Sequence, residues 1–164
     1  ILASGIAPVR DMCDAGVRVG IGVDGSASND GNQLLGEARQ AMLLQRVGWP
    51  GFESSADRFS AREALELATR GGAAVLGRDD IGSLEVGKAA DLAAYRVDGI
   101  RHAGSGGDLV AGLLTCTPVS AWLVVINGRV VLERGQITGL DMESLVTQHN
   151  AQAERLLQKA GATG

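Results

Sequence analysis

Cysteine and aromatic residues are scarce in this chain of 164 residues. The two cysteines, Cys13 and Cys116, form no CxxC pair, which argues against a disulfide framework and for a reducing compartment, the cytoplasm. Aromatic residues make up only 3% of the chain, whereas glycine occurs 24 times. Tight turns and a core of small aliphatic side chains are therefore expected.

Long apolar runs and an excess of positive charge are missing as well. The longest apolar stretch, residues 121–126, is far shorter than the ~20 residues of a membrane-spanning helix. The first residues lack the basic segment of a signal peptide. A formal net charge of −4 gives no attraction to phosphate backbones or anionic membranes. Neither nucleic acid nor a membrane is expected as a partner.

What the chain does have is the composition of a folded domain. It is 45% hydrophobic and 21% charged, which is typical of a globular protein with its own core. The first residues are Ile1 and Leu2 rather than Met. We interpret this start as that of an excised or truncated segment.

The pattern of elements predicts an α/β protein with three zones. The first zone, residues 1–80, reads as helix, strand, helix, helix. Its strand, Val17–Val23, is short and rich in β-branched residues, as in a parallel sheet covered on both faces. Ser60 and Glu63 have the spacing of a capping box, and residues 49–59 are expected to form a surface loop. The helix before this loop is predicted to have one apolar face, formed by Leu34, Leu35, Ala38, Ala41, Met42 and Val47.

The second zone, residues 81–138, is β in character, and the third, 139–164, is a single helix with Asp141 as its N-cap. Leu92–Val97 is one predicted strand. A hairpin follows around Asn127-Gly128, which suits a type I′ turn. The cross-strand pairs expected from this turn are Val125 with Val130 and Leu123 with Leu132.

The segment after the predicted strand carries the strongest functional signal. Asp24 directly follows Val17–Val23, and the C-terminal ends of parallel strands open into the ligand cleft of α/β folds. Gly25 permits a sharp turn, and the small residues after it leave room for a metal ion or a substrate. The pattern alone is equally compatible with Asp24 as a turn former or helix cap.

Residues 20–25 also match GxGxxG, the dinucleotide-binding fingerprint. That motif requires a strand to end and a helix to begin within it. Here Gly20 and Gly22 fall inside the predicted strand, and no helix is expected at Gly25. The nearest acidic residue at a suitable distance, Glu37, belongs to the next helix. We therefore reject the dinucleotide interpretation.

Residues Gly22–Asn29 resemble the eighth-strand signature of the amidohydrolase superfamily, in the branch of chlorohydrolases and cytosine and guanine deaminases. Leu113–Pro118 further resembles the group of 8-oxoguanine deaminases and hydroxy-triazine aminohydrolases. Four more segments resemble the same family and occur in the same order as in its members. They are Ser4–Val9, Ala68–Ala73, Ile81–Leu92 and Val125–Val131.

The resemblance implies a (β/α)8 TIM barrel with a small β-sandwich built from both chain ends. This chain would supply the C-terminal part: the last strand and helices of the barrel in residues 1–80, part of the sandwich in 81–138, and a C-terminal helix in 139–164. The implied activity is metal-dependent hydrolytic deamination of a purine-like or triazine-like ring. One divalent ion, zinc or else iron, and a homo-oligomer are implied with it.

The resemblance also assigns roles to residues. Asp24 would bind the metal ion and carry a proton from water to the leaving amine. Ser28 and Asn29 would lie beside the substrate.

The family also needs a His-x-His pair and two more histidines, and this chain has only His102 and His149. Both are predicted at the surface. The segment alone is therefore expected to be inactive and, with its strand edges uncovered, to aggregate or oligomerise. The alternatives are a non-catalytic α/β module that binds a small ligand, or an amidohydrolase with another leaving group, such as a chlorohydrolase or a dihydropyrimidinase-like ring opener.

Overall fold

A computed structural model describes residues 3–29, 31–47, 53–116 and 120–161. Within these ranges the α-helices are α1 Val9–Asp14, α2 Leu34–Arg46, α3 Ala61–Glu66, α4 Gly72–Leu76, α5 Leu109–Thr115 and α6 Met142–Lys159. The strands are β1 Leu92–Ala94, β2 Leu123–Ile126, β3 Arg129–Glu133 and β4 Gln136–Ile137. The chain is thus a mixed helix and sheet structure, as predicted.

The core lies where α2, α3 and α5 pack together. Its buried residues are Leu35, Ala38, Met42, Phe59, Ala61, Ala64 and Leu114. The predicted apolar face of α2 is wrong at its two ends, because Leu34 and Val47 are 39% and 55% exposed. A buried Gln45 belongs to this face instead. Its side chain accepts from the Arg10 amide at 3.0 Å and donates to the Ala7 carbonyl at 2.9 Å, so it ties the start of α1 to α2.

Phe59 also corrects a prediction. The loop expected over residues 49–59 lies partly outside the described residues, but Phe59 is buried with 1% of its surface exposed. Its carbonyl accepts from Arg46 Nε at 2.7 Å. Phe59 is one of the few aromatic side chains in this chain, and it lies in the core, where a ring of this size buries a large apolar area.

The capping box at the start of α3 is confirmed. The Glu63 amide donates to Ser60 Oγ at 3.2 Å, and Glu63 Oε2 accepts from the Ser60 amide at 2.7 Å. The hydrogen bond from the Ser60 hydroxyl lowers the pKa of Glu63 below its ordinary value. After α3 the helix widens into a π-helical turn, Leu67–Gly71, and continues as α4. Gly71 and Gly72 therefore lie where the π-helical turn passes into α4.

Residues 17–25 are all described and contain no strand, so the predicted strand Val17–Val23 is wrong as an assigned element. A strand needs a hydrogen-bonded neighbour, and here the Ile21 amide donates to the Leu67 carbonyl at 3.1 Å instead. A Cβ on Gly71 would lie 2.4 Å from the Val19 carbonyl oxygen. The segment thus runs against the π-helical turn, backbone to backbone, and this contact sets its path toward Asp24.

The four strands form one antiparallel sheet in the order β1-β2-β3-β4. The predicted strand Leu92–Val97 ends earlier, at Ala94. The hairpin between β2 and β3 is confirmed, with the positive φ values that a type I′ turn requires, 48° at Asn127 and 76° at Gly128. No sequence pattern indicates β4, which follows a second turn at Arg134 and Gly135.

The register of the hairpin agrees with only one of the two predicted pairs. Val125 lies opposite Val130, as expected. An irregularity between Val124 and Val125 then places Val124 opposite Leu132 and Leu123 opposite Glu133. The predicted pairing of Leu123 with Leu132 is therefore wrong, because a bulge shifts the register by one residue.

The last helix, α6, is capped as predicted and carries no buried residue. Asp141 Oδ1 accepts from the Ser144 amide at 3.1 Å, and His149 is exposed, as expected. In the part of the chain that the structure describes, no helix is long and apolar enough to cross a membrane. The domain boundaries at residues 80 and 138 stay a prediction.

His102, unlike His149, contradicts the expectation of a surface position. His102 is only 5% exposed. It ends a 3₁₀ turn, Ile100–His102, whose last carbonyl accepts from Ser105 Oγ at 2.8 Å. A glycine-rich stretch without apolar periodicity gives no sign of such turns, so the burial of this ring could not be predicted.

Candidate active site

Asp24 stands at the end of the segment that runs along the π-helical turn. Its φ of 60° is left-handed, a conformation that Asp and Asn adopt more readily than most residues. Asp24 Oδ1 accepts from the Gly25 amide at 2.7 Å. The other oxygen, Oδ2, has no hydrogen-bond partner among the described residues, and the side chain is exposed. One oxygen of this carboxylate is therefore available to a ligand.

The loop after Asp24 folds into a compact turn. The amides of Ser28 and Asn29 both donate to the Gly25 carbonyl at 2.9 Å. No helix begins at Gly25, and the next one, α2, starts at Leu34. The helix that a dinucleotide fingerprint needs at this point is therefore missing from these described residues, which agrees with the rejection of that interpretation.

Asp24, Ser28 and Asn29, the three site residues predicted from the sequence, line one cleft of about 470 Å³. Glu37 and Gln40 of α2 complete its wall, together with residues 3–5 and 22–23. Two carboxylates, two hydroxyls and two amides thus line the same space. This set can transfer a proton and form directional hydrogen bonds to a small polar ring.

Glu37 and Gln40 were not predicted as site residues. Glu37 Oε1 accepts from Asn29 Nδ2 at 2.7 Å, so it joins α2 directly to the loop. Residues three apart on a helix lie on the same side, and both side chains are polar on a helix whose other side is buried. That spacing was the signal in the sequence that could have identified them.

A second cleft, of about 670 Å³, adjoins the first across the same two residues. Glu37 and Gln40 line both spaces, and Tyr95 lies on the far wall. Burial raises the pKa of the Tyr95 phenol above its ordinary value, so this group stays protonated and can donate a hydrogen bond. The region around Asp24 is therefore open to substituents larger than a single ring.

The described residues fit a metal ion only in part. Asp24 can offer its free oxygen as one ligand. Zinc sites use about three protein ligands, and no group of three His, Cys, Asp or Glu side chains suited to a metal occurs among the residues that the structure describes. His102 and His149 do not line the cleft. These residues alone do not hold a metal ion.

Comparison with known proteins places this chain in a family. The sequence model of the Amidohydrolase family matches residues 1–131. An 8-oxoguanine deaminase of Pseudomonas aeruginosa is 44% identical over 156 residues, which are 95% of this chain and 33% of the relative. A 5-methylthioadenosine/S-adenosylhomocysteine deaminase of Pelotomaculum thermopropionicum is 41% identical over 162 residues, 96% of this chain and 36% of the relative.

A solved structure shows the same similarity. The atrazine chlorohydrolase of Arthrobacter aurescens, complexed with zinc, is 44% identical and has a TM-score of 0.80, over 90% of this chain and 32% of that one. The chain therefore spans about a third of the length of the relatives it matches. The resemblance to the amidohydrolase superfamily and the fold class, both predicted from the sequence, are confirmed. With a family match over most of its residues, this chain belongs to the amidohydrolase family.

Proposed function

We propose that this chain supplies the catalytic carboxylate and the substrate loop of a metal-dependent deaminase. The reaction replaces an amino group on a purine-like or triazine-like ring: water adds to the ring carbon, the C–N bond breaks and ammonia leaves. The observation that carries the proposal is the single cleft shared by Asp24, Ser28 and Asn29. Two relatives that are named as deaminases of heterocyclic compounds support it.

Asp24 is the catalytic residue and one metal ligand in this proposal. Its free Oδ2 takes a proton from the attacking water and gives it to the departing amine, as a positioned general base and then acid. A divalent ion, when bound, brings the pKa of a water molecule toward ~7. Zinc is the proposed ion, since a solved relative contains it, and iron is the alternative. The remaining ligands would lie outside the residues described.

Ser28 and Asn29 bind the ring. A hydroxyl donates and accepts, and a primary amide offers both functions on a planar group, which suits the nitrogen and oxygen atoms at the edge of a heterocycle. A cleft of about 470 Å³ is within the range of small-molecule sites. A nitrogen-rich ring is therefore the substrate class that these side chains favour.

Assembly and location complete the proposal. Apolar side chains on α6 are exposed, which supports a homo-oligomer. Cys13 and Cys116 are both free thiols, which supports a reducing compartment, the cytoplasm.

The test is made on the whole protein that contains this chain, loaded with zinc. Ammonia release is followed with 8-oxoguanine, 5-methylthioadenosine and amino-triazines as substrates. We expect turnover of one of these rings, and Asp24→Asn to lower kcat by about 10³-fold because the base is lost. Asp79→Asn, at an exposed turn position, is the matched control and should retain activity.

Two results would change the conclusion. Full activity of Asp24→Asn would remove the catalytic role of this carboxylate. Chloride release from a chlorinated triazine, without ammonia release from any ring, would favour the chlorohydrolase alternative. The similarity to the solved atrazine chlorohydrolase is the observation that supports this alternative.

A further inference from the structure

We infer that Glu37 is a positioning residue that fixes the Asn29 amide in one orientation toward the ring. The inference rests on the proposed function, because it assumes that Asn29 contacts a ring bound beside Asp24. It concerns a residue to which that proposal gives no role. The hydrogen bond between Glu37 and Asn29 joins the first turn of α2 to the substrate loop.

Both ends of the Asn29 amide are held. Glu37 Oε1 lies 2.7 Å from Nδ2, and the Gly31 amide donates to Oδ1 at 2.9 Å. An ionised carboxylate can only accept a hydrogen bond, so it must face the nitrogen of the amide. A flipped amide would place its oxygen against the Glu37 carboxylate and its NH₂ group against the Gly31 amide. Glu37 and the Gly31 amide therefore select the same one of the two orientations of Asn29.

This orientation determines what a ring would meet. A primary amide has two N–H donors and two acceptor lone pairs. After the bonds to Glu37 and Gly31, one N–H and one lone pair remain. Asn29 lines the cleft that contains Asp24, so these two groups are the ones available there. Glu37 thereby determines the hydrogen-bonding pattern that selects the substrate.

Glu37 is suited to this role because α2 is fixed by the core. Its neighbours Leu35 and Ala38 are 7% and 0% exposed, and Met42 one turn later is fully buried. A carboxylate in the first turn of a helix is further stabilised by the free amides at that end. The loop from Asp24 to Asn29 contains no buried residue. The helix therefore adds a fixed anchor to a loop whose other hydrogen bonds are local.

The experiment is a double-mutant cycle in the whole protein, with kcat and KM measured on the ring that it turns over. Glu37→Ala should raise KM about tenfold, the effect of losing a hydrogen bond to a charged group. The value of kcat should stay close to that of the wild type, because the bond does not involve the reacting atoms. Glu37→Gln should restore most of the lost affinity, since its Oε1 can accept the same hydrogen bond.

The double variant decides how Glu37 acts. If it acts through Asn29, Glu37→Ala combined with Asn29→Ala is no worse than Asn29→Ala alone. Additive losses would overturn the inference, as would an unchanged KM in Glu37→Ala when Asn29→Ala raises it. Glu66→Ala, an exposed glutamate on α3, is the control for a general effect of losing a charge.

Asp24→Asn, assayed in parallel, separates this inference from the proposed function. If Asp24→Asn retains turnover, the proposed catalytic role fails, whatever Glu37 does. If it loses turnover while Glu37→Ala leaves KM unchanged, the positioning role alone fails. Should Glu37→Ala lower the melting temperature as well, Glu37→Gln and the cycle still distinguish positioning from folding, because a structural loss would not depend on Asn29.

Discussion

At the residue scale, Asp24 combines an unfavourable backbone with an exposed charge. A left-handed φ of 60° costs a residue with a Cβ roughly 1–2 kcal/mol. Among the described residues, the one hydrogen bond of its side chain is the local one to the Gly25 amide. Glycine or asparagine would fold equally well here. Since folding does not require a carboxylate at this position, its presence points to function.

Two substitutions of Asp24 should have opposite effects on stability. Asp24→Gly should leave the free energy of unfolding unchanged or raise it by up to about 1 kcal/mol, since glycine adopts this φ without strain. Asp24→Ala should lower it by about 1 kcal/mol, because alanine retains the strain and lacks the hydrogen bond. Both should abolish deamination. Urea unfolding of the whole protein measures the two effects, and a larger loss in Asp24→Gly than in Asp24→Ala would contradict the argument.

The residues around Asp24 show how far the sequence could predict the site. Ser28 and Asn29 follow Asp24 within one turn of chain, so their presence in the same cleft is a local consequence of that turn. Glu37 reaches Asn29 only because α2 folds back along the loop. The sequence indicates α2 by its apolar spacing, but it does not indicate where the loop returns.

At the element scale, the predicted features that are confirmed are those encoded within a few residues. The Asn127-Gly128 turn and the Ser60–Glu63 capping box depend on backbone and side-chain preferences of four residues or fewer. The segment 17–23 depends instead on its neighbours. Its apolar pattern is that of a strand, but among the described residues its one backbone hydrogen bond to a later element is that from Ile21 to Leu67 in the π-helical turn. The strand preference of these residues cannot form a strand without a neighbouring strand to pair with.

Two adjacent glycines in that helix offer a matched test of this contact. Gly71 and Gly72 have nearly the same helical φ, −61° and −58°. A Cβ on Gly71 would lie 2.4 Å from the Val19 carbonyl oxygen, whereas one on Gly72 has nothing within 4 Å. Both alanines gain the same helix propensity. Only Gly71→Ala must push the segment before Asp24 away.

We therefore expect Gly71→Ala to lower the free energy of unfolding by about 1–3 kcal/mol, the usual cost of overpacking. Gly72→Ala should raise it by up to about 1 kcal/mol, since alanine is the better helix former. Gly71→Ala should also reduce activity, because the displaced segment carries Asp24. Denaturant unfolding midpoints and kcat/KM measure both effects. A shift of the same sign and size in the two variants would show that the close contact has no energetic weight.

At the scale of the whole molecule, the chain exposes more surface than a compact monomer. Its accessible area is 11382 Å², whereas a compact monomer of 16.9 kDa exposes about 7,700 Å². The excess of about 3,700 Å² on this one chain is larger than the roughly 1,000–2,500 Å² that one partner contributes to an obligate interface. Some of it is apolar and concentrated on α6, whose large exposed residues are Met142, Leu145, Val146, Leu156 and Leu157.

These apolar residues recur at helical spacing on one side of α6, so the helix presents a continuous surface to water. We expect the 164-residue chain, produced on its own, to self-associate through this side, and sedimentation velocity to show species larger than a monomer. Leu145→Gln combined with Leu156→Gln should reduce that association. Ala151→Gln, on the opposite side of α6, is the matched control and should leave the association unchanged. A monodisperse monomer that melts cooperatively would show instead that the exposed area is compatible with an independent fold.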